Sequence, residues 1–252
     1  MRSSAAPLWL GLVPIGALIV LWEAISGFRI VNPTLLPPLT QVLPVVSHIV
    51  LSGEILEPLS QTLAIMAAGY LIGCGIGCGL GLLMGWNRAI YDLFDPLVEI
   101  IRPIPKAALL PPLFLFLGMG LATKLVIVAL AAFFPVLINT IQAVRGVSPV
   151  AIGTGRTLGF SSVKILFRIV LPFSLPMILA GMRISLALAL ILVVLAEMLV
   201  DSRGIGYVIL DMQRSFKIRD MYAWIIILGV LGMLLNAAFE VVEKRLVPWR
   251  TR

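Results

Sequence analysis

Read by its hydrophobic and polar positions, the chain is a series of long apolar runs separated by short polar ones. A helix needs about 20 apolar residues to cross a hydrocarbon core, and a window of that size predicts six spans. They cover about Leu8 to Ile25, Leu59 to Trp86, Leu93 to Leu117, Leu121 to Ile141, Leu171 to Val200 and Tyr222 to Val242. Trp9 and Trp22 stand near the ends of the first span as interfacial anchors, and Pro103, Pro105, Pro111 and Pro112 interrupt the third. The second span carries its own period: Gly69, Gly73, Gly77, Gly81 and Gly85 recur every four residues. Such a row is a poor helix former in water, but in lipid it lets a neighbouring backbone approach closely. It predicts a tight helix–helix seam, either static or part of a moving bundle.

Composition turns this pattern into an integral membrane protein. Of the 252 residues, 60% are hydrophobic and 12% charged, whereas a soluble domain carries about a quarter charged. The formal charge is +7, but the bases lie between apolar runs, which signals topology rather than nucleic-acid binding. Six spans put both termini on one side. With the N-terminus inside, ten bases fall on the inner side: Arg2, Arg88, Arg145, Arg156, Lys164, Arg168, Lys244, Arg245, Arg250 and Arg252. Six fall outside, Arg29, Lys124, Arg203, Arg214, Lys217 and Arg219, offset there by Glu54, Glu57, Asp201, Asp211 and Asp220. The excess predicts two cytoplasmic termini. No cleavable signal is expected at Met1 to Pro7.

Signs of chemistry are few. Cys74 and Cys78 sit four apart in an apolar run with no nearby histidine or acid, and read as packed small residues rather than a metal site. His48 is expected to be solvated. Gly153, Gly155 and Gly159 surround Arg156 and Thr157, which invites a phosphate-loop reading. The spacing fits neither the P-loop nor the dinucleotide fingerprint, and no strand precedes it. Ser148 and Pro149 instead predict a helix start, Gly159 its end, and a second helix from about Ser161 carries Lys164 and Arg168 before Pro172. Such a helix either fits a groove on another protein or lies among lipid headgroups.

At this loop the chain resembles the inner-membrane permease subunits of binding-protein-dependent ABC importers, in the branch serving nitrate, sulfonate, taurine and bicarbonate-type substrates. That family carries E-A-A-x-x-x-G followed about a dozen residues later by Leu-Pro. Here Gly153 to Gly159 falls in register, Leu171-Pro172 follows, and Gly153-Thr154-Gly155 replaces the acidic triplet. The likeness extends to Leu35-Leu36-Pro37-Pro38, Asp95-Pro96, Arg102-Pro103-Ile104-Pro105, Phe133-Phe134-Pro135 with Asn139, Gly181-Met182-Arg183, Ala196-Glu197-Met198 and Gly204-Ile205-Gly206-Tyr207. It implies an all-α membrane protein of about six transmembrane helices with the type I ABC importer permease fold. Residues 1–252 would form a single permease domain and 143–170 a cytoplasmic coupling loop within it.

The resemblance further implies a division of labour. A second permease copy, giving a homodimer, forms the pathway for a small anionic or zwitterionic solute such as a sulfonate, taurine or nitrate. Two ATPase subunits carry the ATP and magnesium, a periplasmic protein delivers the solute, and this chain holds no cofactor and binds no nucleic acid. Gly155, Arg156, Thr157, Leu158, Gly159 and Phe160 are the expected ATPase-docking residues, with Leu158 and Phe160 supplying the buried contacts. Location in a bacterial inner membrane follows.

Ionisable residues inside spans mark function by default; Glu23, Arg102, Lys106, Arg183, Glu197 and Glu240 qualify. Arg102 and Arg183 are read as a positive pathway lining or as side chains snorkelling to the interface. Glu197, beside Met198, is read as a contact to the binding protein, a gate element or a structural hydrogen-bonding group. The rival functions are a secondary transporter or channel working without an ATPase and, less well matched to the residues, a membrane enzyme.

Overall fold

The computed structural model describes residues 8–200 and 203–251; Arg2, Asp201 and Arg252 of the charge count, and the Trp9 and Arg250 side chains, lie outside what it describes. The described residues form helices and turns. In order these are α1 (Leu8–Gly27), α2 (Leu39–Leu51), α3 (Leu56–Trp86), α4 (Arg88–Ile101), α5 (Leu110–Leu117), α6 (Leu121–Arg145), α7 (Pro149–Thr157), α8 (Ser162–Ile165), α9 (Leu171–Val200), α10 (Ile205–Arg214) and α11 (Ile218–Leu246). Four stretches are single helices long and apolar enough to cross a bilayer: α3, α6, α11 and the run Ser162–Leu199 that contains α9. The fifth crossing is bent. α4 and the Lys106–Leu117 segment meet at 87° across a break at residues 102–105, where Pro103 and Pro105 remove donors and fix φ. Two shorter apolar helices remain, Val13–Gly27 within α1 and Leu39–Leu51, which is α2.

The centre of the bundle is the α3–α6 seam. A Cβ built on Gly69, Gly73, Gly77, Gly81 or Gly85 meets Val128, Ala129 and Ala132, Phe133 and Val136, Thr140, and Val144 respectively. Both rows advance every four residues in the same direction, so α3 and α6 run parallel with their four-residue ridges meshed. Gly75 and Gly79 face open space. Parallel neighbours require a return crossing between them, and the bent α4–α5 pair supplies it.

On its other side α6 meets α9 antiparallel. The space beside Gly181 is filled by Asn139 and the Pro135 carbonyl, while Ala131, Ile127, Ala189, Val193 and Ala196 form the buried core towards the other end. α11 lies antiparallel on α9 and closes a second cluster with α2 and α10 around Trp224 and Ile209. The end of α1 is tied to the following loop by three side chains. Trp22 Nε1 donates to the Pro37 carbonyl at 3.0 Å and Ser26 Oγ to that of Leu36 at 2.7 Å. Glu23 accepts from the Thr40 hydroxyl at 2.7 Å and its amide at 3.3 Å, capping the first turn of α2. The apolar start of α1 and the end of α11 therefore share the side on which α7 projects.

Candidate functional site

Three places concentrate the polar chemistry, and the first is the α7 loop. Pro149 begins α7 with its ring in the first turn, and Ser148 makes no side-chain cap. The helix ends at Gly159, whose φ of +71° is a left-handed value that glycine adopts without a Cβ penalty. Ser161 caps the next helix by accepting from the Lys164 amide. That helix does not stop before Pro172. It passes through a π-helical turn, Leu166–Val170, straight into α9. Proline at 172 bonds to no carbonyl four residues back and crowds that of Arg168; widening the turn just before it accommodates the ring. The α7 loop is thus rigidly continuous with a 38-residue helix, Ser162–Leu199.

Within this loop the expected docking residues divide. Gly155 is buried, where a Cβ would press on Ile169 and Ile165, so α7 rests on the π turn through it. Phe160 is half-buried against Val144, Val147 and Ile165, with the Lys164 ammonium 4.1 Å from its ring centre. Both seat the helix on its own chain, and Phe160 stays partly exposed. Arg156, Thr157 and Gly159 are exposed, and Leu158 is 66% exposed at the tip.

The second place is the break in the α4–α5 span. It lines a cavity of about 560 Å³ with Phe134, Pro135 and Asn139 of α6 and Leu188, Ile191 and Leu192 of α9. Lys106 Nζ donates to the carbonyls of Ile101, Arg102 and Ile104 at 2.8, 3.2 and 3.0 Å, and lies 4.1 Å from the Phe134 ring centre. It neutralises the negative end of α4 where the ladder stops. Arg102 also lines the cavity and faces Glu99 at 3.5 Å.

Arg183 lies elsewhere. It is not among the residues lining this cavity, and its guanidinium bonds Glu243 of α11 at 2.6 Å. Glu243 was not singled out by the sequence; only its place on the last apolar helix hinted at a partner. The Arg183 and Glu243 side chains are 38% and 13% exposed, so the pair falls between a surface bridge worth about 0–1 kcal/mol and a buried one worth about 3–5 when broken. Arg183→Gln and Glu243→Gln are expected to lower the melting temperature alike, and the double variant no further. Additive losses in the melts would show that the two act separately.

The third place lies at the opposite end of the bundle from α7. Glu197 is fully buried, which rules out the expected contact with a soluble partner from this conformation. Thr62 Oγ1 donates to its carboxylate, lying 2.8 and 3.0 Å from the two oxygens, and the Gly206 amide donates to it at 2.9 Å. Thr62 Oγ1 in turn accepts from the Ile205 amide at 3.0 Å. Met198 packs against both central clusters. Glu240 pairs with Lys244 at 2.7 Å, and His48 is exposed beside Glu54. Cys74 Sγ lies 3.8 Å from the Ser185 hydroxyl, and both cysteines are free.

Taken together, a parallel glycine-seamed core, a helix projecting between two spans and a broken crossing around a polar-ended cavity define a polytopic transport protein. Residues 61–252 match the family described as the inner membrane component of binding-protein-dependent transport systems, and the chain belongs to it. It is a permease subunit of the ABC importer class. It is 33% identical over 240 residues to SsuC of Bacillus subtilis, which bears the name of an aliphatic sulfonates transport permease, covering 95% of this chain and 87% of that one. It is 34% identical over 236 residues to the formylaminopyrimidine transport permease ThiX of Halalkalibacterium halodurans, covering 93% of each. Among solved structures, an inward-facing MetNI methionine ABC transporter chain superposes with a TM-score of 0.66 at 20% identity, covering 75% of this chain and 94% of that one. The last likeness concerns the fold alone.

Proposed function

We propose that two copies of this chain form the alternating-access pathway of an ATP-driven importer in a bacterial inner membrane, both termini cytoplasmic. A cytoplasmic ATPase, which carries the ATP and magnesium, receives α7 in a cleft, and a periplasmic binding protein delivers the solute at the α10 end. The observation that carries this reading is the build of the loop. Leu158 stands exposed at the tip of a helix fixed from behind by Gly155 and Phe160 and fused through α8 to α9. A push on Leu158 moves a whole span, which is the two-state coupling such a transporter needs. The absent acidic triplet leaves Arg156 and the Leu158 side chain as the grip.

The solute is a small organic anion, a reading supported by the sulfonate-named relative and by Arg102 and Lys106 at the broken span. One observation favours a secondary transporter instead, since such proteins also bind solutes at discontinuous helices. A single experiment separates the two. Leu158→Cys permease, expressed with the ATPase encoded beside it, should cross-link to that subunit, and ATPase activity should rise when loaded binding protein is added. Labelling of the cysteine by lipid-soluble reagents with no cross-link and no stimulation would leave the secondary transporter standing.

A further inference from the structure

Behind α7 lies a cleft that the transport pathway does not use. Its larger chamber, about 570 Å³, is walled by Trp86 at the end of α3, Arg145 at the end of α6 and one face of α7. That face is Pro149, Ile152, Gly153 and Arg156, at i, i+3, i+4 and i+7 of one helix. A smaller chamber of about 350 Å³ shares Gly85, Trp86 and Arg145 with it and continues to Arg88, Tyr91 and Asp92 of α4. Because α3 and α6 are spans, their last residues set the depth. The cleft opens where the bundle leaves the membrane, the layer in which tryptophan and basic residues meet lipid headgroups.

The charge in the two chambers is uneven. Arg88 faces Asp92 at 3.7 Å, and Asp95 lies beside Tyr91, so the smaller chamber is partly neutralised. The larger one has no carboxylate among its described lining residues. Neither Arg145 nor Arg156 has an ion-pair partner among the described residues, and both are exposed. The Arg145 guanidinium stacks 3.4 Å from the Tyr91 ring centre, which orients it in advance. The acidic position of the E-A-A pattern falls on Gly153, where a Cβ would meet nothing within 4 Å. The chain therefore puts no acid of its own into this chamber. Behind the arginines the wall is apolar, with Val144, Val147 and Ile152.

We propose that this cleft binds an anionic phospholipid, its phosphodiester held by Arg145 and Arg156 and its glycerol end against Val147 and Ile152. Basic pockets between the ends of spans suit such headgroups, and guanidinium matches phosphate oxygens two at a time. An acidic protein segment would meet the same charges, but the depth at two span ends and the apolar wall favour lipid. A headgroup seated there is wedged between α7 and the bundle and braces the projecting helix. Leu158, at the tip, is not part of the lining and stays free for a partner. The site belongs to this chain alone and does not rest on the importer reading.

The test titrates full-length permease in dodecyl maltoside micelles with dioctanoyl phosphatidylglycerol and follows binding by thermophoresis. Saturable binding is expected. Dioctanoyl phosphatidylcholine, whose choline neutralises its phosphate, and inorganic phosphate, which has no glycerol to bury, should bind far more weakly. Arg145→Gln and Arg156→Gln should each weaken binding about tenfold, the loss of one charged hydrogen bond. Gly153→Glu should abolish it by placing a carboxylate in the chamber, whereas Gly153→Gln, equal in size, should keep most of it. The open space at residue 153 lets both variants fold, and matching melting curves check this. Equal affinity for phosphatidylcholine or for inorganic phosphate overturns the lipid site, as does Gly153→Glu binding as well as Gly153→Gln. Absence of lipid binding, with Arg145→Gln permease losing its ATPase on purification, would overturn it in favour of an acidic protein segment.

Discussion

Gly73→Val permease is expected to disappear from the membrane fraction, while Gly75→Val accumulates to nearly wild-type levels. The two glycines are two residues apart on α3 and the substitutions make the same change in helix propensity, so propensity cannot separate them. Position does. A Cβ at residue 73 runs into the Ala129 carbonyl oxygen and comes within 2.8 Å of the Ala132 methyl, whereas one at 75 meets nothing within 4 Å. The first obstacle is backbone of a buried helix and cannot swing aside as a side-chain tip would. Overfilling a packed core costs about 1–3 kcal/mol when side chains can adjust, and here α3 and α6 must move apart along their whole length. That forfeits the close contact on which helix association in lipid depends. Gly73→Ala should already lower the melting temperature in detergent. Membrane yields and melts of Gly73→Val matching those of Gly75→Val would show that the seam is not what holds the two helices.

How much of this was legible beforehand differs from residue to residue. The glycine row is visible because five absent side chains at a spacing of four have no other common cause. Its partner is not visible: Val128, Ala132, Val136, Thr140 and Val144 form the facing row, but valines and alanines every four residues are unremarkable in an apolar helix. Pro103 and Pro105 announce an interruption, yet the bend of 87° and the capping of α4 by Lys106 depend on where the chain resumes, which local sequence does not fix. At Pro172 the local rule misleads, because a π turn absorbs the proline and no helix end follows. Arg183 and Glu197 were visible as charges in apolar runs. Their partners lie 60 and 135 residues away in sequence, so a hydrophobicity profile gives the presence of the charge and nothing of its use. Phe160 was read as a docking contact from its place beside Gly159; that it also packs against the cluster of Val144 and Ile165 is set by residues on two other helices.

Glu197→Ala is expected to free α10 from the bundle and to abolish uptake without removing the chain from the membrane. The reason is the way α10 begins. Its N-cap is Gly204, held at a φ of +96° and unable to offer a side-chain acceptor. A helix start leaves its first amides without partners, and here they are met from other helices: Ile205 by Thr62 of α3, Gly206 by Glu197 of α9. Local capping is replaced by a clasp that makes α3, α9 and α10 one unit at that end of the protein. The fit is close: a Cβ at Gly204 would strike the Glu197 carboxylate and one at Gly206 the Val194 carbonyl, so α10 starts directly against α9. Each buried group stranded by the substitution costs about 1–3 kcal/mol, so amide exchange in residues 205–209 should accelerate by about 5- to 150-fold per group lost. Thr62→Val should release the Ile205 amide with Glu197 intact, and Thr62→Ser, which keeps the hydroxyl, should restore protection and uptake. If exchange in α10 is unaltered in both Glu197→Ala and Thr62→Val, the helix is held by its apolar contacts to Trp224 and Ile227, and the buried carboxylate must be assigned another task.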